Sequence, residues 1–219
     1  MPRLLFEKTG NAVWISHLDL MRVFQRSFKR ANLPLTHTQG FNPRPSVSIA
    51  LPLSVGVDSK CELLDFELDG CEATCDEIKD RLNGALITGV NVLEVYTDGR
   101  KVRDLSLLQC RISMQYDNDL PANAIQQMRS LFAQAEVIVP KKTKNGIQDQ
   151  NIITMIRKLS IQVVGERELA IDALICCQNP ALNPAQIPLA VEMYLPALKA
   201  DNYVCSRLEV YDLNENIFR

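Results

Sequence analysis

The chain has 219 residues, 47% of them hydrophobic and 23% charged, which suits one large domain or two small ones and excludes wholesale disorder. No stretch approaches the roughly 18 uninterrupted apolar residues of a membrane span, and the start, MPRLLFEKTG, lacks a signal peptide's apolar region, so a cytoplasmic chain with no membrane partner is expected. A net charge of −2 excludes a polyelectrolyte that would bind nucleic acid with its whole surface, although residues 1–50 set seven Lys or Arg against Glu7 and Asp19, a net of +5 that leaves −7 for the rest.

Residues 2–8 and 11–15 are predicted as extended, with a turn at Gly10-Asn11, after which the apolar period lengthens from two towards 3.6. Ser16 is placed to cap a helix, Asp19 sits in its first turn, and Ile15 and Leu20 hold the staple positions. Leu20, Phe24, Ser27, Phe28 and Ala31 share one face of that helix, while Arg22, Arg26, Lys29 and Arg30 fall on the other. Pro34 stops the helix by Leu33, and a loop runs from Thr36 to Pro45. Val47–Leu53 and Cys61–Leu68 read as strands, Ala73–Leu86 as a second amphipathic helix and Ile87–Thr97 as a further strand. The order is βαββαβ, the ferredoxin-like unit.

After a polar stretch at 98–104 the scheme repeats more loosely. Strand 108–116, helix 121–135, strand 137–139, a basic loop, strands 156–164 and 168–177, helix 184–198 and strand 203–213 are predicted. The fold class expected is α+β, with two tandem ferredoxin-like domains over residues 1–98 and 105–219, the second more divergent. One continuous α+β sheet is the alternative.

The chemistry gathers in the first third. In Gln39-Gly-Phe-Asn-Pro-Arg-Pro45, Gly40 permits unusual backbone geometry and Pro43 and Pro45 stiffen the rest of the loop, so Asn42 and Arg44 are held in defined directions. Arg44 offers a planar fork for phosphate or carboxylate, and Asn42 one acceptor and two donors. Phe41 is expected to anchor the loop in the core rather than to stack on a base. With Arg22, Arg26, Lys29 and Arg30, these residues form a candidate anion-binding surface, against the alternative of a merely solvated basic helix face. A second basic loop, Lys141-Lys-Thr-Lys144 with Asn145-Gly146 behind it, is expected to be solvated.

The segment from Phe6 to Leu68 carries Ser16-His17-Leu18-Asp19, Arg26, Arg30-Ala31, Gly40-Phe41-Asn42-Pro43, Pro52-Leu53, Gly56, Ser59, Glu62 and Asp65. In these positions it resembles the radical-SAM-linked family of bacterial proteins, which occur alone or fused behind radical S-adenosylmethionine enzymes. The resemblance implies a radical-SAM enzyme as partner and a role in RNA or cofactor modification. The chain is not expected to carry such a cluster itself. Three thiolates spaced C-x3-C-x2-C are needed, and Cys71 and Cys75 are succeeded by Ile78 at the third position. No metal and no cofactor are predicted, and the seven cysteines are expected as free thiols.

Two functions fit these residues, beside a third reading as a purely structural partner whose basic face docks an acidic protein surface. The first is an accessory or substrate-binding protein that presents an anionic ligand, RNA or a phosphorylated molecule, to a radical-SAM enzyme. The second, similar to the tandem ferredoxin-like CRISPR RNA-processing proteins, is a metal-independent endoribonuclease. In it, His17 would take the proton of a 2′-hydroxyl, and Arg26 or Arg44 would stabilise the charged transition state. A glycine-rich loop near the C-terminus, which those enzymes have, is missing here.

Overall fold

The computed structural model describes residues 1–143 and 146–219 and divides the chain into two compact units, Met1–Val102 with Arg219, and Arg103–Phe218. The fold is mixed α+β, with four α-helices among the described residues and antiparallel pairing between the strands of each unit.

In the first unit the elements are β1 (Arg3–Lys8), α1 (His17–Arg30), β2 (Val47–Ile49), β3 (Asp58–Phe66), α2 (Cys75–Asn83) and β4 (Val90–Tyr96). The strands run β4-β1-β3-β2, each antiparallel to its neighbour. Leu4 and Phe6 of β1, Leu64 and Phe66 of β3 and Val90 and Val92 of β4 are buried against Leu20, Phe24 and Phe28 of α1 and Ile78 and Leu82 of α2. The predicted apolar face of α1 is thus its packing face. Phe24 meets Phe6 edge to face at 4.7 Å, a favoured geometry for two aromatic quadrupoles.

Local chemistry sets the helix ends. The Ser16 hydroxyl accepts from the Asp19 amide and donates to the Asp19 carboxylate, 2.7 Å away, and Arg22 pairs with the other carboxylate oxygen. At the far end of α1, Arg81 donates to the carbonyls of Ala31 and Asn32, which the helix leaves without partners. Thr74 and Glu77 form a reciprocal capping box on α2. Hydrogen bonds from the Thr74 amide and then from its hydroxyl hold the Glu77 carboxyl below the usual carboxylate range. A lowered folded-state pKa means stability that is full at neutral pH and lost as pH falls through that depressed value. The midpoint of urea unfolding should therefore drop on acidification more for the wild type than for Glu77→Gln, which has no proton to take up there.

Between Lys8 and Ser16 the structure differs from the expected strand. Residues Gly10–Trp14 make a short 3-10 turn. The cause is Lys8, whose fully buried ammonium donates to the carbonyls of Val13 at 3.0 Å and Ile15 at 2.8 Å and so gathers the segment over itself. Gly89, at φ +87°, sits where a Cβ would come within 2.4 Å of the Thr9 carbonyl oxygen, so only glycine fits that close approach.

The second unit holds β5 (Leu107–Gln115), α3 (Ala124–Phe132), β6 (Ile138–Thr143), β7 (Gly146–Asn151), β8 (Ile156–Gly165), β9 (Glu168–Cys176), α4 (Gln186–Tyr194) and β10 (Asn202–Tyr211). Four strands run β10-β5-β9-β8, all antiparallel. The segment expected as a short strand and a basic loop is instead the β6-β7 hairpin. Lys141 lies within β6 and donates to the Ala181 carbonyl, so it is not simply solvated. Lys144 and Asn145 lie outside the described residues.

Candidate anion-binding surface

The cations of the first unit fall into two sets. Arg30 spans to the Ala85 carbonyl at 2.6 Å and to the Ser27 hydroxyl at 2.9 Å, which ties the end of α1 to the segment after α2. Arg22 is paired with Asp19 at 2.7 Å. Arg26, Lys29 and Arg44 are exposed, and their side chains make no hydrogen bond or ion pair among the described residues. Of the cations singled out in the sequence, these three have no partner among the described residues, Arg22 shares an exposed ion pair with Asp19, and Arg30 is tied to the Ala85 carbonyl.

The loop from Thr38 to Arg44 stands out from the unit. The Thr38 amide donates to the Arg44 carbonyl at 2.9 Å, the Arg44 amide donates to the Thr38 hydroxyl at 3.0 Å, and His37 bridges to Pro45 below them. Gly40, at φ +132°, supplies the turn. Asn42 and Arg44 are exposed on this loop. Phe41 corrects the expectation of a core anchor. Its relative exposure of 112% means that it touches almost nothing, because a loop closed at its foot by Thr38 and Arg44 carries its tip away from the core. An exposed aromatic ring is a ready stacking surface for a flat ligand.

Between α1 and the foot of this loop lies a groove of about 320 Å³ lined by Gln25, Phe28, Lys29, Leu33, Pro34, Leu35, His37 and Pro45. It brings Lys29 of the predicted set to His37, which the sequence marks only weakly. His17, Asn42, Arg26 and Arg44 are not part of its lining. His17 opens α1 beside the capping Ser16, and its Nδ1 is buried with no hydrogen-bond partner among the described residues, so no carboxylate orients the ring there.

Much of the family-like pattern serves the scaffold. Asp65 binds the Arg3 guanidinium through Nε at 2.6 Å and Nη2 at 3.1 Å. Ser59 donates to Glu62 at 2.7 Å in a buried polar cluster, and Ser59 is the register partner of Lys8. The Gly56 amide donates to the Val13 carbonyl, and the Trp14 ring lies 3.4 Å from where a Gly56 Cβ would stand. Ile78 is buried in the core, and Cys71 and Cys75 are free thiols. Among the described residues no cluster of three or more His, Cys, Asp or Glu is placed to hold a metal ion, and no helix is long and apolar enough to cross a membrane.

A larger cavity, about 510 Å³, lies in the second unit between Gln109, Lys158, Ser160, Asp172, Leu174, Tyr211 and Glu215. Its charges are already neutralised within the protein, since Arg111 pairs with Asp172 and Lys158 with Glu215. The smaller groove of the first unit holds Lys29, whose charge has no partner among the described residues.

Two solved structures share the fold. A chain in the crystal structure of a Cbf5-Nop10-Gar1 complex aligns over 95% of this chain at 9% identity with a TM-score of 0.52. A chain in the structure of an H/ACA RNP bound to a substrate RNA containing 2'-deoxyuridine aligns over 94% at 9% identity with a TM-score of 0.50. This chain covers 48% and 46% of those chains, about half their length, and at such identity the likeness is one of fold alone. No curated protein matches the sequence. Residues 2–184 match the family described as an uncharacterized protein conserved in bacteria (DUF2344), and the chain belongs to that family.

Proposed function

We propose that the chain is a binding module that holds single-stranded RNA along the outer face of α1 and the Thr38–Arg44 loop and presents it to a separate enzyme. The observation that carries this reading is the state of Arg26, Lys29 and Arg44, three exposed cations with no acid among the described residues to neutralise them, carried by α1 and the loop that follows it. Phosphate oxygens are the anions that arginine forks and a lysine point charge suit. The exposed Phe41 adds a stacking face that a free phosphorylated metabolite would not need. The solved structure that shares this fold and is bound to a substrate RNA supports the choice of polymer over small molecule.

Each unit is taken as ferredoxin-like. In support, the first strand of each lies between the last and the third, β4-β1-β3-β2 in one and β10-β5-β9-β8 in the other, with β6-β7 inserted into the second. The enzyme partner is proposed to be a radical-SAM protein on the strength of the Ser16–Asp19 and Gly40–Pro43 motifs alone, because the family description names no partner. No catalytic step is assigned to His17. RNA incubated with the protein in EDTA should be recovered intact, and cleavage abolished by His17→Ala would replace this reading with the endoribonuclease one.

The binding claim is tested by titrating a short unstructured RNA over a range of salt. Three phosphate contacts predict a slope of log affinity against log salt of about −2, and Arg26→Ala, Lys29→Ala or Arg44→Ala should each remove about 0.7 of it. A slope near zero would sink the proposal.

A further inference from the structure

We infer that the groove between α1 and the foot of the Thr38–Arg44 loop takes one unpaired nucleobase of the bound strand, with Lys29 at its mouth meeting the adjoining phosphate, an inference that rests on the RNA reading above. Most of the groove's lining is apolar: the buried Phe28, Leu33 and Leu35, with Pro34 and Pro45. Gln25 can both donate and accept, and so can the His37 imidazole, which is the combination needed to read the edge of a base whose faces lie against apolar atoms. Neither side chain is engaged by another described residue.

The walls are preformed. The Leu35–Leu68 and His37–Pro45 bridges, with the Ser46 amide donating to the Thr36 carbonyl at 2.8 Å, pin both strands of the loop, and the two prolines restrict its backbone. About 320 Å³ lies at the small end of ligand pockets, room for a ring system and not for a duplex or a helix. Charge selects among flat apolar occupants. An aromatic side chain from a protein would leave Lys29 facing no anion, whereas a base arrives with a phosphate attached. A base buried here must also be unpaired, so the groove would favour loops and single strands over duplex.

The test compares two probes of equal length and charge, a short unstructured RNA and an abasic sugar-phosphate oligomer. The wild-type protein should bind the RNA about tenfold or more tightly than the abasic oligomer, the effect of one well-held base. Gln25→Ala and His37→Ala should close most of that gap while leaving the abasic affinity unchanged, a result that neither misfolding nor a general loss of charge would produce. Equal affinity for the two probes would overturn the base slot and leave the cationic surface standing. An RNA preference that survives both substitutions would overturn it too, since the bases would then be read elsewhere. If neither probe binds, this inference falls together with the RNA reading.

Discussion

Phe24→Ala should lower the stability of the first unit by about 3–5 kcal/mol. Phe24 is fully buried, and its ring fills the space between α1 and the sheet against the edge of Phe6. Truncation removes the aromatic contact and leaves a cavity that a sheet hydrogen-bonded on both sides of β1 cannot collapse to fill. For a domain of ordinary stability, about 5–15 kcal/mol, that is about a fifth or more of the total. Hydrogen exchange of the β1 and β3 amides reads it directly, with protection falling by about two to three and a half orders of magnitude at roughly 1.4 kcal/mol per decade. Arg26→Ala, on the opposite face of the same helix, should change protection little, within about 0.5 kcal/mol. Equal losses from the two substitutions would mean that Arg26 is part of the scaffold.

Asp65→Ala should be comparably damaging, for an electrostatic reason. The Arg3 side chain is only 4% exposed, and its three donating nitrogens meet Asp65 twice and the Arg100 carbonyl once. Burial works to lower the Arg3 pKa, yet the hydrogen bonds and charge of Asp65 leave it raised, so the guanidinium stays ionised in place. Taking away the carboxylate strands a buried cation, a loss of about 3–5 kcal/mol when one partner of such a pair is removed. Arg3→Met combined with Asp65→Leu should recover most of it, because apolar groups of similar size need no partner. Chemical denaturation of the two variants makes the comparison, and a double variant less stable than Asp65→Ala would show that the pair is worth more than its absence of penalty.

The elements that the sequence discloses are those whose signals are local. Ser16 caps α1, and the run Leu20, Phe24, Ser27, Phe28 is its buried face, because period and cap are properties of neighbouring residues. The alternation in β5 is equally plain, with Cys110, Ile112 and Met114 buried between more exposed neighbours. The β6-β7 hairpin is not legible in this way. Its strands, IVPKKT and GIQDQN, carry a proline, two lysines and mostly polar residues, so no period-two pattern marks them. The turn at Gly10–Trp14 is hidden for another reason. It depends on a lysine buried at a position where charge ordinarily means surface.

In the candidate site the residue types are legible and their commitments are not. Arg30 and Arg26 look alike on the helix, but the partner that claims Arg30 is a carbonyl 55 residues away. Phe41 misleads because aromatic character argues for burial, whereas the closure of the loop at Thr38 and Arg44 sets its direction. Gln25 carries no local signal and His37 only a weak one, and only the return of the chain to Pro45 brings them to one groove.

The central claim, that RNA is held at this surface and not by the protein's charge in general, is tested most directly by two variants of equal net charge. In one, Arg26, Lys29 and Arg44 are replaced by Ala. In the other, the exposed Lys60, Lys101 and Arg157 are replaced instead. Binding of a short unstructured RNA is then measured against salt. The first variant should lose about 2 from the magnitude of the log–log slope, nearly all of the wild-type dependence, while the second keeps the wild-type slope. Equal losses in both variants, or a wild-type slope in the first, would contradict the account.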